Sequence, residues 1–186
     1  MRRVFTTKLS SIASAGRNAM SSQPPGHLNI RLRPFGPDDY DFLVEVYGST
    51  RAEELALVPW TTEQKQAFVR WQLGAQQDHY AQKYPGASHD IIEFNDRKVG
   101  RLYVARLDHE IRIADITLLP AERNTGIGTY LIKELLVEGE RTGRVVRIYV
   151  EEFNPSLHLF ERLGFSRGEQ HGIYLLMEWT ASQRAD

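Results

Sequence analysis

The chain contains no cysteine. That absence excludes disulfides, thiolate metal ligands and a cysteine nucleophile, and it leaves the redox compartment open. No stretch approaches the roughly 18 consecutive apolar residues of a transmembrane helix, so no membrane partner is expected. Charge of one sign is lacking too: the formal net charge is −1, which gives no general electrostatic case for nucleic acid. Internal repeats are absent, and low complexity is confined to the first residues. What remains is ordinary globular composition, 41% hydrophobic and 25% charged over 186 residues, enough for one domain with a proper core and short for two.

The near-neutral total hides an asymmetry. Residues 1–27 carry Arg2, Arg3, Lys8 and Arg17 and no acid, so the rest of the chain is net acidic. This segment is serine-rich, with Val4, Phe5, Leu9 and Ile12 at helical spacing, the composition of an organelle transit peptide. The plainer reading is a flexible leader, or a start codon assigned too early with Met20 as the true start. The expected compartment is intracellular, cytoplasmic unless residues 1–27 address the protein to mitochondria. Residues 28–186 form the expected folded domain.

Along that domain "LNIRLRPF" alternates Leu28, Ile30 and Leu32 with polar residues, as a half-buried strand does. "GPDDYDFLVEVYGS" predicts a helix opened at Pro37 and stopped at Gly48. The next helix opens with Thr61 and Gln64 at capping-box spacing and is weakened at Gly74. Phe68 and Trp71 on it are expected in the core. "HDIIEF" and "VGRLYVARL" around the polar "NDRK" predict a hairpin, and "EIRIADITLL" a third strand. Then come a helix over "GIGTYLIKELLVEGERTG" ended by Gly143, the strand "RVVRIYVEEF", a short helix with Pro155 at its first position, a loop "SRGEQHG", and a last strand "GIYLLMEW". The order predicts an α+β fold, a mixed and mostly antiparallel sheet with one parallel βαβ crossover and flanking helices.

The crossover begins at "RNTGIG", residues 123–128. Backbone N–H groups at a helix N-terminus are unpaired and point outward, so a pyrophosphate can satisfy several together, and glycine allows close approach. A dinucleotide site wants G-x-G-x-x-G directly after a strand. Here the third glycine is Leu131, and residues 119–125 separate Leu118 from Gly126. No G-K-[ST] is present, so the P-loop fails as well. A nicotinamide-dependent oxidoreductase stays open at this point as a rival.

"ITLLPAERNTGIGTYLIKELL" followed by "VRIYVEEFNPSLHLFERLGF" resembles the GCN5-related N-acetyltransferase (GNAT) superfamily. Arg123, Gly126 and Gly128 fit its R/Q-x-x-G-x-G/A motif. Asn154, Phe160, Leu163, Gly164 and Phe165 fit its second motif. "IRLRPFGPDDYDFLVEVY" is similar to its first strand and helix, and the resemblance spans about residues 28–180. It implies the GNAT fold, acetyl-CoA as cofactor, and transfer of an acetyl group to a primary amine of a small molecule or peptide. It implies that the backbone near Leu118 meets the pantetheine arm and that Arg123, Asn124, Thr125, Gly126, Ile127, Gly128 and Thr129 hold the pyrophosphate, with Asn154 on the pantetheine and Phe160 packed against the coenzyme.

The general base stays open among Asp115, Glu151 and Glu152. Period-two geometry sends Glu151 and Glu152 to opposite faces. Tyr103 and Tyr149 are further proton carriers to weigh. Phe160 stands where many GNAT proteins have a tyrosine whose hydroxyl protonates the leaving thiolate; His158 is a candidate replacement, and a catalytically weak acyl-CoA-binding module of the same fold is the alternative. Acceptor choice is expected in residues 50–62, the helix carrying Trp71, Tyr80 and Tyr84, and the loop "SRGEQHG". No metal is expected, and a monomer and a homodimer are equally compatible.

Overall fold

A computed structural model describes residues 29–181. The basic leader, Met20 and the readings placed on them lie outside the described residues, as do residues 182–186. The elements in chain order are β1 (Ile30–Pro34), α1 (Tyr40–Ala56), α2 (Thr62–Lys83), β2 (Ser88–Phe94), β3 (Arg97–Arg106), β4 (Glu110–Leu118), α3 (Ile127–Thr142), β5 (Val145–Glu151), α4 (Leu157–Arg162), β6 (Ser166–His171) and β7 (Tyr174–Trp179). One seven-stranded sheet runs β1-β2-β3-β4-β5-β7-β6. Its β4–β5 pair is parallel and its other pairs are antiparallel. The α+β expectation with one parallel crossover therefore holds.

Each face of the sheet buries a different set of side chains. Ile111, Ile113, Ile116, Val146, Ile148 and Val150 pack with Ile127, Leu131, Ile132, Leu135 and Leu136 of α3 and with Leu157, Leu159 and Phe160 of α4. The α3 residues among these form one apolar stripe along the helix, and it faces the core. A Cβ on Gly139 would stand 2.8 Å from Val146 Cγ2, so glycine there lets α3 lie close on β5. The opposite face is covered by α1 and α2 through Leu43, Tyr47, Val69, Leu73 and Ile91, and through Tyr80, Tyr84, Tyr103 and Ala105.

Local chemistry explains most boundaries. The "NDRK" turn places Asn95 and Asp96 at φ 49° and 60°, the left-handed pair a tight hairpin requires. Pro37 opens a 3-10 turn ahead of α1, where Asp39 accepts from Arg33 (2.8 and 2.9 Å) and from the Gly36 N–H (2.9 Å). Those bonds, Arg33 first, hold the Asp39 carboxyl well below the usual carboxylate range.

Five expectations are corrected. Gly48 does not stop α1: the helix runs on to Ala56 because Gly48 faces Val69 of α2, and that packing outweighs glycine's cost of about 1 kcal/mol. Pro155 precedes α4 instead of opening it, the cap being Ser156. "SRGEQH" is not a loop but the edge strand β6, exposed along its whole length. Leu32 is 41% exposed, because β1 is the other edge and lies largely outside the helical cover. Trp71 is 61% exposed, on the solvent side of α2, where it lies against Phe68, which Trp60 meets in turn, instead of entering the core.

Candidate active site

Strands β4 and β5 begin as neighbours and then part. Their parallel pairing runs from Glu110↔Val145 to Ile113↔Ile148 and stops. Beyond that point β4 stays paired with β3, through Asp115↔Tyr103 to Leu118↔Gly100, while β5 stays paired with β7, through Tyr149↔Leu176 to Glu151↔Tyr174. The separation begins at a bulge. Tyr103 faces Asp115 but Val104 faces Ile113, which leaves Ala114 as the extra residue. A bulge bends and twists its strand, so β4 turns away from β5 at Ala114 and each strand presents backbone edge to the wedge between them.

The α3 N-terminus opens at the same end of β4. Its N-cap is Gly126 at φ 92°, no side chain caps it, and no acid stands in its first turn. The first helical bond runs from the Tyr130 N–H to the Gly126 carbonyl at 2.9 Å. The N–H groups of Ile127, Gly128 and Thr129 therefore have no intrahelical acceptor. Asn124, at φ 63°, curls the preceding loop, and the Thr125 hydroxyl donates to the Glu122 carbonyl at 2.7 Å. Asn124, Thr125 and Gly126 are exposed, and a Cβ built on Gly126 would meet nothing within 4 Å. The arrangement is a set of convergent donors with a positive helix end behind them and open space in front.

Arg123 behaves differently from the expectation. Its side chain folds back onto the protein, Nε donating to the Leu118 carbonyl at 3.1 Å and Nη2 to Ser49 Oγ at 3.3 Å, while burial lowers its pKa from the usual arginine value. Its backbone N–H is spent on Pro120. Arg123 thus ties the loop to the end of β4 and to α1, and the open donors start at Asn124.

The three carboxylates also separate. Asp115 is 1% exposed, ion-paired to Arg101, and accepts from Thr117 Oγ1 at 2.7 Å. Burial pushes its pKa up, against the pull of Arg101. Glu152 is exposed and accepts from Gln170 at 3.0 Å. Glu151 is half-buried on the splayed end of β5 and accepts from the Tyr174 hydroxyl at 3.4 Å. Tyr149 shares its face, with the Arg112 guanidinium 4.9 Å from its ring centre and His171 at 5.9 Å. His158 lies 80% exposed on the outside of α4 beside Glu161. Asn154 is buried, and its Oδ1 accepts from the Ser156 N–H at 2.9 Å, shaping the entry to α4. Phe160 is 1% exposed and packs edge-on to Phe165 at 5.3 Å, so its ring belongs to the core. Among the described residues no group of three or more His, Asp or Glu is placed to hold a metal ion, and no helix is long and apolar enough to cross a membrane.

Residues 50–165, which contain both the uncapped helix and the wedge, match the model of the acetyltransferase (GNAT) family. The chain belongs to the GNAT family. No curated protein matches it in sequence. Solved structures match it in fold. The PaiA N-acetyltransferase of Thermoplasma acidophilum, in complex with coenzyme A, aligns at TM-score 0.63 and 17% identity over 82% of this chain and 99% of that one. An acetyltransferase of Thermus thermophilus aligns at 0.60 and 18% over 82% and 97%. YncA of Salmonella typhimurium, with its cofactor acetyl-CoA, aligns at 0.51 and 20% over 84% and 96%.

As a GNAT chain, this one contains residues near the wedge that sequence reasoning missed. Gln76 of α2 and Arg101 of β3 are buried where the helix meets the sheet, and Tyr174 faces Glu151. Their signal in the sequence was faint, because a glutamine inside an amphipathic helix and an arginine in a strand both read as surface until the sheet is assembled.

Proposed function

We propose that this GNAT protein transfers an acetyl group from acetyl-CoA to a primary amine of a small molecule or peptide. The observation that carries the reading is the uncapped α3 N-terminus beside the β4–β5 wedge. In this reading the N–H groups of Asn124 to Thr129 hold the pyrophosphate. The free β4 edge near Leu118 pairs with the pantetheine arm as a strand edge pairs with a peptide, and Asn154 borders the arm from the β5 side. When bound, acetyl-CoA supplies the activated thioester. The nicotinamide rival would need a second parallel unit, which the described residues do not contain.

The chain's own task is the acceptor's proton. An amine of pKa about 10.4 is neutral in about one part in 10³ at pH 7, a handicap of roughly 4–5 kcal/mol. Glu151 is the carboxylate we assign to accept that proton, because it sits half-exposed at the wedge with Tyr174 orienting Oε1. Asp115 is sealed by Arg101 and Thr117, and Glu152 and His158 lie on the outer surface. Tyr103 is buried in contact with Tyr80, which makes it a core residue.

The burial of Phe160, which has no hydroxyl, favours one second reading, a GNAT fold that holds acyl-CoA with little turnover. Calorimetry with CoA and acetyl-CoA, followed by thiol release over a panel of amines, tests both. Binding and amine-dependent release support transfer. Binding without release from any amine favours the module, and no binding of either ligand sinks both. For the assigned base, Glu151→Gln should lower kcat about a hundredfold with acetyl-CoA affinity unchanged. An unaltered kcat and pH profile would remove Glu151 from the role.

A further inference from the structure

The bulge that parts β4 from β5 is gripped from α2. Tyr80 Oη donates to the Ala114 carbonyl at 3.1 Å, and Ala114 is the inserted residue itself. Gln76 Nε2 donates to Tyr80 Oη at 3.4 Å, and Gln76 Oε1 accepts from Arg101 Nη2 at 2.7 Å. Arg101 is ion-paired with Asp115, the residue directly after the bulge, and Asp115 in turn accepts from Thr117. Gln76, Tyr80, Arg101, Asp115 and Thr117 are all at least 95% buried. The ring of Tyr80 on α2 lies 5.0 Å from that of Tyr103, the β3 residue beside the β4 bulge.

An inserted residue interrupts the ladder, and a hydrogen bond to its half-buried carbonyl helps to hold its conformation. Tyr80 supplies a partner from outside the sheet, so the bulge is held by a side chain of α2 as well as by strand pairing. A buried polar network with its members bonded to one another is also rigid and specific. Here it fixes the residue at which the free edge of β4 begins.

We infer that Tyr80, supported by Gln76 and Arg101, is a positioning residue for the cofactor arm: it holds the β4 bulge in the shape that keeps the wedge open. The inference rests on the proposed coenzyme A reading, in which the pyrophosphate sits at α3 and the arm lies between β4 and β5. It predicts that the two parts of the ligand respond differently. ADP has the pyrophosphate and no arm, so it reaches only the α3 donors.

The test is Tyr80→Phe in the full chain. Affinity for CoA and the KM for acetyl-CoA should each worsen roughly tenfold, the size of one lost buried hydrogen bond. ADP affinity should hold, and kcat should change far less than KM. A purely structural role would lower the melting temperature and leave the CoA-to-ADP affinity ratio as it was, which would overturn the inference. Gln76→Met leaves the Tyr80 hydroxyl in place and should shift the same ratio in the same direction by less. Amide hydrogen exchange on the ligand-free protein provides a readout independent of any ligand. Tyr80→Phe should speed exchange over residues 114–118 and spare the first turn of α3. Unchanged exchange on β4 overturns the clamp even if CoA proves not to bind, and faster exchange there with no CoA binding by the parent protein places the failure in the proposed function.

Discussion

Helices α2 and α3 start in opposite ways. At α2 the chain closes its own end: Thr61 Oγ1 accepts from the Gln64 N–H at 3.3 Å, Gln64 Oε1 accepts from the Thr61 N–H at 2.9 Å, and Glu63 stands in the first turn. The Glu63 carboxyl is held below its usual range by its own backbone N–H and by Thr61. At α3 there is no box, no acid and no side-chain cap, only a glycine in the left-handed region. Both ends carry the same unpaired donors and the same positive dipole. The difference lies in who satisfies them, the protein itself at α2 and, in the proposed reading, the coenzyme's pyrophosphate at α3. The chain that closes one helix end with its own side chains leaves the other without a side-chain cap.

Gly126 is where a substitution should do most damage. Gly126→Val puts a β-branched residue at φ 92°, a strain of about 1–3 kcal/mol, and sends its side chain into the space before the donors. CoA affinity should fall about a hundredfold or more with the circular dichroism spectrum preserved; calorimetry that finds it unchanged would move the cradle elsewhere. A milder break gives α3 the acid it lacks. Thr129→Glu should stabilise the ligand-free protein by about 0.3–1 kcal/mol through the dipole. It should also weaken CoA roughly tenfold by repulsion from the pyrophosphate, with urea unfolding and titration reading the two effects. The smallest effect comes from opening α2. Thr61→Ala should cost about 1 kcal/mol in urea unfolding and leave CoA affinity within about twofold, and a large loss of affinity would show that the two ends are not separate devices.

How much of this was legible depends on the reach of the interaction. The capping box, the "NDRK" turn, the Gly143 stop and the glycine turn before α3 are decided within a few residues, and all appear where the sequence places them. Gly48 and Trp71 were misread because a tertiary neighbour, or its absence, decides them. Val69 carries the helix past Gly48, and among the described residues Trp71 stays mostly exposed. Strand β6 escaped because an edge strand exposed on both faces has no alternation to detect. Within the site the donors of α3 were readable, whereas the inward turn of Arg123 and the sealing of Asp115 required Ser49, Leu118 and Arg101 to be brought together from distant parts of the chain.

The bare end of α3 also ties the durability of the molecule to its surroundings. A ligand that binds the folded form alone raises folding free energy with the logarithm of its free concentration, about 2.7 kcal/mol at a hundred times its dissociation constant. That is a sizeable share of the about 5–15 kcal/mol that separates a domain from its unfolded chain. In the proposed reading, with acetyl-CoA as that ligand, its scarcity would both idle the protein and shorten its survival, so the protein's abundance would track the supply of acetyl-CoA.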